Sequence, residues 1–175
     1  MSKTDHKPGH GEDASGPSLT SHYAPETERP LAAYGAIIAT YTACVGTALI
    51  ALRARRGQIA ERPALQDVAM IGVASYKLSR LIAKDKVTSF VRAPFTQYQE
   101  PGAPGEVEER PYGHGLRLAV GELLVCPYCL AQWIATALTL GLARAPRFTR
   151  WISGVLVAHT IADFLQVAYR TAEGG

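Results

Sequence analysis

Long apolar runs alternate with short basic or polar stretches along this chain, and that alternation predicts its elements. From Leu31 to Leu52 no charged side chain interrupts about twenty-two positions, and at 1.5 Å per residue about twenty residues cover the hydrocarbon core of a bilayer. The second run, 64–83, carries Asp67, Lys77 and Arg80 among Val68, Met70, Ile71, Val73, Leu78, Leu81 and Ile82. A helix of this kind inserts poorly alone and needs neighbours that pair its charges. The third run, 116–143, has Arg117 at its edge, Glu122 as its deeper charge and Pro127 as the expected kink. A fourth run, 151–169, holds His159 and Asp163 between Trp151 and Tyr169, which stand where interfacial aromatic anchors would.

The expected fold is therefore all-α, an integral membrane bundle of four transmembrane helices over residues 31–172. A long polar loop at 84–115 and a polar tail at 1–30 complete the chain. The loop contains Pro94, Pro101, Pro104 and Pro111, and its acidic group Glu106, Glu108 and Glu109 balances nearby cations. The tail, rich in Gly, Pro, Ser and His, buries too little surface to offset the entropy of ordering and is expected to be disordered. A polar start of this length does not fit a cleaved signal peptide, so the first run reads as a signal anchor.

The hydrophobic share of 47% resembles that of an ordinary soluble domain, but the average hides this segregation. A formal charge of +3 would suit an acidic partner. The basic residues, however, gather at the ends of apolar runs, so membrane topology explains them and no nucleic acid is expected. Arg53, Arg55, Arg56 and Arg62 follow the first run, and Arg144, Arg147 and Arg150 precede the fourth. Both turns then face the cytoplasm, which makes a multi-pass protein of the cell membrane with both termini and the loop extracytoplasmic. Lys77, Arg80, Lys84 and Lys86 near the outer end of the second run oppose that orientation.

Candidate chemistry lies on the third and fourth runs. Glu122, Cys126, Cys129 and Trp133 recur at helical spacing and share one face. His159, Asp163 and Gln166 repeat the pattern, and Lys77, Arg80 and Lys84 form a cationic stripe able to neutralise Glu122 or Asp163. In one reading these groups form a polar network that joins the helices without turnover. Trp133 and Tyr128 then fill space, and Gly35, Gly46, Gly72 and Gly154 permit close approach.

In the other reading Cys126, just before Pro127 at a helix start, has its thiol pKa lowered by free backbone N–H groups. Cys126 attacks, Cys129 resolves, and Glu122 or His159 manages protons. A third, proton or ion movement through Arg80, Glu122, His159 and Asp163, would need an oligomer to enclose a path. One Cys-Pro-Tyr-Cys is half a zinc signature, so no metal site is expected; Cys44 reads as a small apolar residue.

Arg80-Leu81-Ile82, Asp85, Arg92-Ala93-Pro94-Phe95 and the Glu122 to Trp133 pattern resemble the bacterial membrane proteins grouped as domain of unknown function 1360. The likeness covers about Ala64 to Tyr169. It implies a small multi-pass membrane protein, with some relatives linked by name to sporulation, and no particular reaction. It also implies that Arg80, Asp85, Glu122, Cys126, Cys129 and Trp133 belong to one feature, which adds Asp85 to the network.

The network reading expects a structural or interaction component of the cell envelope. Its partners are the lipid bilayer and a membrane or envelope protein or a second copy, and it has no cofactor. The thiol reading resembles the quinone-linked disulfide-forming enzymes and alone brings in a quinone. Those enzymes relay electrons through a second cysteine pair in an outer loop, and residues 84–117 contain none. Whether the protein is an enzyme stays open at this point.

Overall fold

The computed structural model describes Tyr23, residues 29–54 and residues 63–174. Most of the tail and residues 55–62 of the first basic turn lie outside them. The elements are α1 (Leu31–Ala54), α2 (Leu65–Lys84), α3 (Ser89–Arg92), β1 (Thr96–Pro101), β2 (Val107–Pro111), α4 (Gly115–Val125), α5 (Pro127–Arg144) and α6 (Pro146–Glu173).

α2 is the central helix, packed against both α5 and α6, while α1 leans mainly on α4 and α5. Asp67 at the start of α2 pairs with Arg150 near the start of α6, and Lys77 further along pairs with Asp163. The two helices therefore run parallel. Between α5 and α6 only Ala145 intervenes, so the expected basic turn is instead a pair of abutting helix ends. Gly141 permits this: a Cβ there would stand 2.9 Å from Thr149 Oγ1.

The surface is inverted relative to a water-soluble domain. Trp151, Val155, Ile161, Phe164, Leu165 and Val167 on α6 are exposed, as are Ile38, Leu49 and Ile50 on α1. Buried positions on α2 and α6 include Ser75, Lys77, Ser153 and Thr160. These exposed apolar faces lie on the two helices long and apolar enough to cross a membrane, and Ala83, Leu130 and Ile134 form a small buried apolar cluster.

By length and composition α1 and α6 can cross a membrane, and α4 with α5 would make a third span if the bent pair is counted as one. The expected four spans are thus two or three on this criterion. α2 fails it because Asp67, Lys77, Arg80 and Lys84 lie within it.

Three sequence expectations need correction. The third run is not one kinked helix but two, α4 and α5, at 82° to each other. Pro127 supplies no N–H to α4 and disfavours the helical region for the residue before it, so Cys126 is extended at φ −100° and ψ 100°.

The fold is also not wholly α. Inside the expected loop, β1 and β2 form an antiparallel hairpin whose register shifts between Tyr98 and Glu100. Its tip folds back onto the segment just after α2, where Lys86 N–H donates to Gly105 O at 2.9 Å, and Gly105 turns the chain at φ +83°.

The glycines expected to bring helices together do not. A Cβ at Gly35, Gly46, Gly72 or Gly154 would meet nothing within 4 Å. The close approach is at Gly121 on α4, where a Cβ would fall 2.7 Å from Phe95 O.

Candidate functional site

The acidic group of the former loop secures the hairpin to the end of α2. Arg80 Nε and Nη2 donate to the two carboxylate oxygens of Glu106 at 2.7 and 2.8 Å, and Lys84 Nζ donates to Glu108 at 2.6 Å. The rungs match because four residues of helix rise about 6 Å and two residues of strand about 6.6 Å.

Glu109 points to the other face, where Arg92 meets it with Nε to Oε2 at 2.9 Å and Nη2 to Oε1 at 3.0 Å. Arg92 is fully buried, and it also donates to the carbonyls of Ile82 and Asp85, groups that the end of α2 leaves without helical partners. A buried guanidinium with this many acceptors is a strong positional constraint.

Cys126 and Cys129 are joined by a disulfide, with Cα atoms 5.3 Å apart. Cys126 caps α5: its Sγ accepts the N–H of Cys129 at 3.2 Å. Pro127 occupies the first helical position, where a missing N–H costs nothing. Cys129 is exposed and Cys126 half-buried. The bond therefore sits at an accessible helix start. Among the described residues no group of three His, Cys, Asp or Glu side chains is placed to hold a metal ion.

The break at Cys126 splits the expected stripe. Glu122 lies on α4, where it accepts from the Tyr34 hydroxyl and lies 3.8 Å from Arg29. It serves the attachment of α1, not the cations of α2. Trp133 lies on α5 and meets Tyr41 edge-on, with ring centroids 4.9 Å apart, while Tyr41 hydroxyl is 2.7 Å from Thr136 Oγ1. Tyr128 is 89% exposed and fills no core.

The α2–α6 stripes do meet. Lys77 Nζ lies 2.5 Å from Asp163 Oδ2, and His159 Nε2 lies 3.8 Å from Asp163 Oδ1. Arg80 and Lys84 pair with the hairpin instead, and Asp85 Oδ1 accepts the N–H of Val87. The proposed chain Arg80, Glu122, His159 and Asp163 thus divides into separate pairs.

Sequence reasoning missed Glu106, Glu108 and Glu109 as specific partners, Asp67 with Arg150, and Tyr34 and Tyr41. One signal was available for the first group: cations four apart facing acids two apart.

These features define a class: a mainly helical protein with two or three candidate membrane spans, a polar seam and a hairpin fixed across one helix end. Residues 70–169 match the family described as Protein of unknown function (DUF1360), and the chain belongs to that family.

It is 28% identical over 102 residues to a Sporulation protein, YjcA, of Bacillus subtilis (strain 168), a stretch covering 57% of this chain and 86% of that protein. It is 34% identical over 79 residues to UPF0713 protein YngL of the same organism, covering 45% of this chain and 58% of the relative. No solved structure gives a significant match.

Proposed function

We propose that the protein is a multi-pass membrane component of the cell envelope that presents its hairpin as a rigid polar platform at one face of the bilayer. The inverted surface carries this reading, since apolar side chains point outward while Asp67, Lys77, Ser75 and Ser153 are buried. α1, α2, α5 and α6 are then four spans. α2 is tolerated in lipid because Asp67 and Lys77 meet partners on α6, and Arg80 and Lys84 meet the hairpin. α4 lies across the bundle end instead of crossing it.

The basic ends of α1 and α5 support an orientation with that side in the cytoplasm and with the hairpin and both termini outside. The partner is a membrane or envelope protein, or a second copy.

Single-cysteine labelling tests the arrangement, in a background with Cys44, Cys126 and Cys129 replaced. An impermeant maleimide on intact cells should label Gln97→Cys in the hairpin and spare Ala145→Cys between α5 and α6. Equal labelling of both positions, or recovery of the protein in a detergent-free supernatant, would refute it.

A second reading has one observation in its favour, the Cys126–Cys129 bond at an accessible helix start. In this reading the protein exchanges disulfides with an envelope dithiol, and a quinone re-oxidises the pair: two thiols and a quinone become a disulfide and a quinol. Acid trapping of thiols in growing cells decides it. A mixture of reduced and oxidised pairs supports exchange; a pair that stays oxidised under every growth condition leaves the bond purely structural.

A further inference from the structure

Between the C-terminal halves of α2 and α6, roofed by the hairpin turn, lies a cleft of about 500 Å³. Its floor is the Lys77–Asp163 pair. On the α6 wall His159, Asp163, Gln166 and Arg170 stand in line at helical spacing, and Arg80 faces them from α2. The fixed charges balance: Lys77, Arg80 and Arg170 against Asp85, Glu106 and Asp163.

The open valences are of both signs. The Arg170 guanidinium has no partner among the described residues, and Asp85 uses Oδ1 on the Val87 N–H, leaving Oδ2. Asp163 commits Oδ2 to Lys77 and holds Oδ1 at 3.8 Å from His159. One edge is apolar, where Phe164 and Val167, 64% and 60% exposed, continue the outward face of α6.

Depth narrows the ligand. Lys77 lies seven residues below Lys84, about 10 Å from the end of α2. On the reading that these helices cross a bilayer, the twenty residues of α2 span the hydrocarbon core, so the cleft mouth opens into the headgroup layer, roughly 5–8 Å thick on each side, and its floor lies within the core. A molecule residing there carries a polar head for the ionic walls and chains for the Phe164 edge.

We propose that the cleft binds the headgroup of an aminophospholipid of the phosphatidylethanolamine type. Its phosphate is directed to Arg170 and Arg80, and its ammonium to Asp85. Opposite charges within one headgroup match the opposite charges at the cleft mouth. A primary ammonium offers three N–H donors, one of them to the free Asp85 Oδ2. A choline headgroup has none, and a purely anionic headgroup leaves that carboxylate unmatched.

This proposal rests on the membrane reading, and the two can fail separately. Sedimentation without detergent tests the bilayer first. The full chain, reconstituted in nanodiscs with equal ethanolamine, choline and glycerol phospholipids of matched chains, is then released and examined by native mass spectrometry. The ethanolamine lipid should be retained about fivefold over the choline lipid, and Arg170→Gln with Asp85→Asn should bring retention to the bulk ratio.

Asn at position 85 keeps an acceptor for Val87, so unchanged helix content and melting would show that the variant is folded. O-phosphoethanolamine should bind about tenfold more weakly than the lipid. Three results overturn the proposal for a membrane-integrated protein: equal retention of ethanolamine and choline lipids, a preference untouched in the folded variant, or soluble phosphoethanolamine binding as tightly as the lipid.

Discussion

Arg92 and Glu109 form a two-pronged ion pair inside the protein, with side chains 0% and 6% exposed. The pair joins the short helix α3 to the second strand of the hairpin, and the same guanidinium closes the end of α2. Removing one member leaves the other buried without its counter-charge, which typically costs about 3–5 kcal/mol. Arg92→Leu or Glu109→Leu should therefore free the hairpin, seen as protease cleavage within 96–111 in detergent. The double variant should be cleaved more slowly than either single variant; slower cleavage of the singles would contradict the pairing.

Lys77 and Asp163 link α2 to α6 at the floor of the cleft. Loss of a charged hydrogen bond typically costs about 1.5–3 kcal/mol. Lys77→Met or Asp163→Asn should lower the denaturation midpoint in detergent by a corresponding amount. Exchanging the two, Lys77→Asp with Asp163→Lys, should recover part of that loss, and an exchange no better than the sum of the singles would mean the groups are not coupled.

Gly121 and Gly141 should respond differently to alanine. At Gly121 the new methyl meets the backbone oxygen of Phe95, which moves only with the hairpin base. Overpacking of this kind costs about 1–3 kcal/mol. At Gly141 it meets the hydroxyl of Thr149, a side chain able to change rotamer. Thermal melts should rank Gly141→Ala above Gly121→Ala in stability, and the reverse order would be inconsistent with the α4–hairpin contact.

The chain has three cysteines, and Cys44 is the free one among the described residues. Alkylation of the denatured protein before reduction should add one group, and after reduction three. A count of three without reductant would show that Cys126 and Cys129 are thiols in the purified protein.

Much of this arrangement was readable along the chain. The uninterrupted run after Pro30 became α1, and Asp67, Lys77 and Arg80 marked α2 as a helix that needs neighbours. Pro127 located the discontinuity at Cys126, because a missing N–H and a ring clash are local facts. The size of the bend was not local: α4 turns 82° from α5 and lies against the hairpin base at Gly121. The hairpin itself escaped notice because four prolines and the polar Gln97, Gln99 and Glu100 weaken any alternation of period two. Its strands are held less by a core than by Arg80, Lys84 and Arg92.

The sequence alone determined where the apolar runs begin and end, which ionisable groups fall within them and where the third run must break. These properties depend on neighbours a few bonds away. Tertiary structure decided the partners: Lys77 to Asp163, Arg80 to Glu106, Arg92 to Glu109 and Glu122 to Tyr34. Charge attraction is non-specific at the level of sequence, and only the relative placement of α2, α6, α1 and the hairpin brings one opposite group, of several available, within bonding distance.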